Sequence, residues 1–118
     1  MPNPVMRWQI LTPHVDKAAA FYTSLFGWEV SRDNLLRYAM VDTGSERGVP
    51  GGIWPAPPEA PSFVQLFVEV EDCGAYVAKA QALGAATLMP PQALPDGDVM
   101  AILKDPCGVS FGVFQPGG

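Results

Sequence analysis

Apolar positions along the chain fall into two patterns, and each pattern occurs twice. Two strand-like apolar runs, Met6 to Leu11 and Phe63 to Val70, each lead into a stretch of helical spacing that ends at a glycine. In the first stretch Ala18, Phe21, Tyr22 and Leu25 recur at i, i+3, i+4 and i+7, which predicts an apolar helix stripe. Pro13 stands just before it and Gly27 just after it, where prolines start helices and glycines end them. In the second stretch Asp72 takes the N-cap position, Tyr76, Ala80 and Leu83 form the stripe, and Gly84 closes it. Short strands are predicted after the first helix around Trp28 to Val30, Leu36 to Val41 and Gly52 to Trp54. After the second they are predicted at Ala86 to Met89, Val99 to Leu103 and Val109 to Phe114.

The two halves also repeat in sequence. Gly48-Val49-Pro50-Gly51-Gly52-Ile53-Trp54 and Gly108-Val109-Ser110-Phe111-Gly112-Val113-Phe114 share the form Gly-Val-x-x-Gly-aliphatic-aromatic, 60 residues apart, and the helix-ending glycines are 57 apart. A repeat at about half the chain length marks a duplicated unit. The expected architecture is α+β: two tandem βαβββ modules, about 4–54 and 63–115, in a single domain, forming a curved mixed sheet around a cleft. Between them the proline-dense segment 55–62 cannot join a sheet ladder and reads as a semi-rigid linker. The concave surface of such a sheet is the expected place for a ligand.

Composition narrows the function. A chain of 118 residues, 48% hydrophobic and 16% charged, is long and apolar enough to bury a core. Twelve acidic residues against seven basic ones leave a formal charge of -5, which argues against a nucleic-acid partner. Residues Met1 to Met6 show no basic segment followed by an apolar one, and no apolar run approaches the roughly 20 residues of a membrane-spanning helix. Two cysteines, Cys73 and Cys107, cannot build a disulfide framework, so a reducing cytoplasm is the expected location.

Trp8-Gln9-Ile10-Leu11-Thr12, Ala18-Ala19-Ala20-Phe21-Tyr22 and Leu25-Phe26-Gly27-Trp28 together resemble the first module of the glyoxalase/bleomycin-resistance/dioxygenase (vicinal-oxygen-chelate) proteins. Gly51-Gly52-Ile53, Ala82-Leu83-Gly84-Ala85 and Asp105-Pro106-Cys107-Gly108 with Phe111-Gly112 resemble its later elements. The resemblance spans nearly the whole chain and implies the fold and a homodimer. Metal-using members of that family place ligands on the first and last strands of each half. Here those positions fall on Arg7, Gly52, Gln65 and Gly112. An arginine and two glycines cannot ligate a divalent ion, and one glutamine amide is a poor ligand by itself. His14, the single histidine, falls where the family often has an aspartate. No metal and no cofactor is therefore expected, and metal-dependent lyase, isomerase or ring-cleaving activity is disfavoured.

Strand alternation selects the remaining candidates. Met6, Trp8 and Ile10 should lie under the first helix and leave Arg7, Gln9 and Leu11 on the other face. Leu66, Val68 and Val70 should do the same for the second helix and leave Gln65, Phe67 and Glu69. Arg7, Gln9, Gln65, Phe67 and Glu69 can orient a ligand, or Arg7 and Glu69 can simply pair or meet solvent. Trp54 and Phe114, equivalent in the repeat, can stack on a flat ligand or serve as core or interface packing. Gly52 and Gly112 keep the floor open, or mark a close strand approach. His14 at the helix start suits a cap or surface role better than a general base. Cys73 sits where a helix dipole can lower a thiol pKa, and Cys107 reads as a turn residue.

Three functions compete. The favoured one is metal-independent binding of a small aromatic or amphipathic molecule, similar to the drug-sequestering members of the family. A metal-free enzyme would use Glu69 or His14 as its acid–base group. A module with a filled cleft would plug it with Trp54, Met40 and Met100.

Overall fold

The computed structural model describes residues 3–34, 38–59 and 61–117. Ten elements follow one another: β1 (Val5–Thr12), α1 (Val15–Phe26), β2 (Glu29–Ser31), β3 (Ala39–Asp42), β4 (Gly51–Pro55), β5 (Phe63–Glu69), α2 (Cys73–Ala82), β6 (Ala86–Ala93), β7 (Val99–Lys104) and β8 (Ser110–Gln115). The order β-α-β-β-β occurs twice, as the repeat predicts. The chain divides into two compact units, one of residues 7–65 and one of residues 66–117 with 3–6.

In the first unit the strands run β2-β3-β4-β1. β1 and β4 are parallel, with Gln9 opposite Gly52 and Leu11 opposite Trp54, while β4, β3 and β2 are antiparallel neighbours. α1 connects β1 to β2 and covers one face, where Ala39, Val41 and Ile53 are buried with Trp8, Ile10, Val15, Ala18, Ala19, Trp28 and Val30 around them. The helix stripe is therefore Val15, Ala18, Ala19 and Tyr22. It has the predicted spacing but starts three residues earlier, and Phe21 and Leu25 point outward at 58% and 57% exposed. Small residues face the sheet because they let the helix lie close to it. Gly27 ends the helix in the left-handed conformation (φ 72°) and donates its N–H to the Thr23 carbonyl, 2.8 Å away. At the edge of this core, Trp28 makes ring contacts with Trp8, Tyr22 and Phe26, with centroids 5.1–5.4 Å apart.

The second unit repeats this plan with strands β5-β8-β7-β6. Phe67 lies opposite Gly112 and Glu69 opposite Phe114 in the parallel β5–β8 pair. α2 covers a core of Val70, Cys73, Val77, Ala101, Leu103 and Val113, flanked by Tyr76, Ala80, Val99 and Phe111. Asp72 caps the helix as predicted, its carboxylate accepting the Ala75 N–H at 3.1 Å. Leu83, expected in the stripe, instead forms the C-cap and is 71% exposed. β1 and β5 also depart from the simple alternation: Met6 and Leu66 are exposed rather than under their helices.

Strand limits differ at several points. β2 begins at Glu29, one residue after the predicted Trp28, and β3 runs on to Asp42. The predicted start at Leu36 lies outside the described residues. β6 extends through Pro90 and Pro91 to Ala93, because β6 lies at the end of this unit's strand order and its register shifts occur between Thr87 and Gln92. Such an edge with irregular pairing is where prolines are tolerated.

Candidate functional site

Register decides which side chains share the face opposite each helix. In the first unit Trp8 and Ile10 lie with Gly51 and Ile53 on the α1 face, so Arg7, Gln9 and Leu11 share the other face with Gly52 and Trp54. Met40, opposite Gly52, joins them on β3. Tyr38, two residues before Met40, completes the group.

Tyr38 is the decisive residue. A Cβ built on Gly52 would stand 1.8 Å from the Tyr38 hydroxyl and 2.0 Å from its Cζ, so the phenol ring lies directly on the glycine. Tyr38 is 7% exposed, and its hydroxyl is a buried side-chain polar atom with no hydrogen-bond partner among the described residues. The Trp54 ring centroid is 5.3 Å from it, and the Arg7 guanidinium carbon lies 5.8 Å from the Tyr38 centroid. Burial pushes the phenol above its ordinary pKa, an effect that Arg7 opposes. The Tyr38 backbone is bonded to Asn34, whose side chain both accepts the Tyr38 N–H at 3.0 Å and donates to the Tyr38 carbonyl at 2.7 Å.

A cavity of about 490 Å³ opens beside this group. Its walls come from the start of α1 (Pro13 to Lys17), from Arg32, from Tyr38 and Ala39, and from Ile53, Trp54 and Pro55. His14 forms part of the rim. It is the N-cap residue, yet its side chain makes no cap bond and is exposed, so of the cap or surface role expected the surface one holds; its backbone N–H is bonded to Thr12 Oγ1 at 3.2 Å. Arg32 donates to Asp16, and both residues line the cavity.

The second unit treats the equivalent face differently. A Cβ on Gly112 would stand 2.3 Å from Cε1 of Phe67, a ring that is 1% exposed. Phe114 is buried and Glu69 is half-buried. The Glu69 backbone joins the N-terminal segment, its N–H bonded to the Pro4 carbonyl and its carbonyl accepting from Asn3 Nδ2. Among the other candidates, Gln9 and Gln65 are buried, Arg7 and Trp54 are half-buried, and Met40 is 45% exposed and so fills no gap. Cys73 is fully buried, and desolvation followed by the Asp72 charge raises its thiol pKa, opposite to what a helix dipole alone would do. Cys107 lies in the turn after β7, its N–H bonded to Asp105 Oδ1.

The four positions at which the resemblance implies metal ligands do not fit a divalent ion. Two are glycines covered by aromatic rings, one is an arginine and one an amide, and no group of three or more His, Cys, Asp or Glu side chains converges among the described residues.

The Glyoxalase/Bleomycin resistance protein/Dioxygenase superfamily model matches residues 3–113. The chain belongs to that superfamily. Among curated relatives, CFP32 of Mycobacterium bovis and of Mycobacterium tuberculosis, whose given name assigns it only provisionally to the glyoxylases, is 31% identical over 111 residues, 92% of this chain. The chain spans 42% of the length of those relatives. Among solved structures, a variant of Streptomyces coelicolor methylmalonyl-CoA epimerase bound to 2-nitronate-propionyl-CoA is similar at TM-score 0.67, with 17% identity and 97% of each chain covered. The hypothetical protein BH1468 of Bacillus halodurans is similar at TM-score 0.72, with 13% identity, covering all of this chain and 97% of that one. At such identities the superfamily likeness is one of fold. Within the fold, Tyr38 is the residue that the sequence reading missed. The mid-strand Gly52 was the available signal, since it marks a close approach, but nothing local names the ring that approaches.

Proposed function

We propose that this superfamily member binds a small aromatic or amphipathic molecule without a metal ion. The observation that carries the reading is the aromatic ring on Gly52, where metal-using relatives are expected to present an acidic ligand. A phenol and an indole there enclose a flat molecule instead of holding an ion. The adjoining cavity is within the range of about 300–1,000 Å³ usual for small-molecule sites. Arg7, Gln9, Trp54 and Tyr38 supply the ligand face of the first half. Gln65, Phe67, Glu69 and Phe114 stand at the corresponding positions of the second.

A filled module is the second reading, favoured by the burial of Phe67 and Phe114. Native mass spectrometry of the protein as purified from cells separates these. Binding predicts no stoichiometric divalent metal and a small mass released on activation; the same spectrum reads whether the chain pairs with itself. Stoichiometric metal would overturn the metal-free reading. Failure to bind any of a broad panel of aromatic compounds, followed by tryptophan fluorescence, would favour the filled module.

A further inference from the structure

We infer that Tyr38 selects the ligand of the first half: the cavity takes a flat small molecule bearing a carboxylate, and that carboxylate accepts the Tyr38 O–H. The inference rests on the binding reading above and names the chemistry of its ligand. A buried donor without an acceptor is rare in a native protein, because the group has given up its bond to water and gained none. Tyr38 is in that position among the described residues, and it forms part of the cavity wall. A bound acceptor would complete it. The ring of Trp54 beside it favours a planar body, and the Arg7 guanidinium over the phenol favours a negative charge on the group that is held. Gly52 makes room for the phenol in the free protein, since a side chain there would occupy the same space. The hydroxyl is covered in the free protein, so binding includes a rotation of the ring off Gly52 toward the cavity it already borders.

The test uses two probes of matched shape, 2-naphthoate and 2-methylnaphthalene, titrated against the wild-type protein, Tyr38→Phe and the control Tyr76→Phe. Tyr76 bonds to Asn3 in the second unit and should not matter. The wild type and Tyr76→Phe should prefer the carboxylate by about tenfold or more, as a hydrogen bond to a charged group allows. Tyr38→Phe should lose most of that preference while keeping its affinity for 2-methylnaphthalene. Phenylalanine removes one atom and keeps the ring on Gly52; a thermal melt confirms that the variant is folded. If Tyr38→Phe keeps the preference, Tyr38 is not the selector and the binding reading survives. If the wild type binds neither probe, the inference falls together with the reading beneath it.

Discussion

In the first half Gly52 lies under the phenol of Tyr38; in the second, Gly112 lies under the ring of Phe67. The glycines occupy the same place in the repeat, but the rings reach them from different strands. Tyr38 comes from the approach to β3, the antiparallel neighbour of β4, while Phe67 comes from β5, the parallel neighbour of β8. A strand position emptied of its side chain has thus been filled twice, by separate routes. The outcomes differ in one respect that matters. Phe67 closes its half with carbon alone, whereas Tyr38, which also lines a cavity, leaves a hydroxyl buried on its glycine.

This comparison can be tested by mutation. The largest difference should come from the glycines. Gly112→Ala places a methyl against a ring that is 1% exposed, and should cost about 3 kcal/mol in urea unfolding. Gly52→Ala should cost only about 1 kcal/mol, because the Tyr38 ring has the cavity beside it. Equal losses would show the two halves to be packed alike. Next, Phe67→Tyr adds to the second half the feature that marks the first, a buried hydroxyl, and should destabilise by about 2 kcal/mol; no loss would mean that this site already offers an acceptor.

The two helix starts give a smaller contrast. Asp72→Ala removes a side-chain cap and should lower stability by about 1 kcal/mol, while His14→Ala should change it little. The smallest effect is in alkaline pH. The Tyr38 pKa is raised in the folded protein, so its stabilising contribution is full below the unfolded value of 10.0 and is lost as pH rises above it. Tyr38→Phe should lack that part of the alkaline decline. Cys73, whose pKa is raised from 9.0, contributes in both proteins and cancels in the difference. Identical pH profiles would place Tyr38 in water.

Much of the fold was legible because its signals are local. The duplicated glycines, the Asp72 cap and the helix-ending Gly27 each depend on a few adjacent residues. The facing of α1 was not legible in the same way. Its spacing is the predicted one, but size alone favours Phe21 and Leu25 for the buried side, whereas Val15, Ala18 and Ala19 bring the helix close to the sheet. The exposure of Leu66 and Met6 shows the same limit, because alternation assigns a face without saying how far the covering helix reaches. For the site, alternation placed Arg7, Gln9 and Leu11 on one face, and the repeat alone singled out Trp54. It could not place Tyr38, whose burial depends on a glycine across a strand pair.

The aromatic chain of the first unit has an optical consequence. All three tryptophans, Trp8, Trp28 and Trp54, belong to residues 7–65, and the second unit has none. Tryptophan emission is thus a built-in label for one half of the molecule. Trp8 and Trp28, in ring contact at 5.4 Å, are close enough to couple electronically. Comparing the emission melt with the far-ultraviolet dichroism melt, which reports both halves, would show whether the duplicated units come apart together or one at a time.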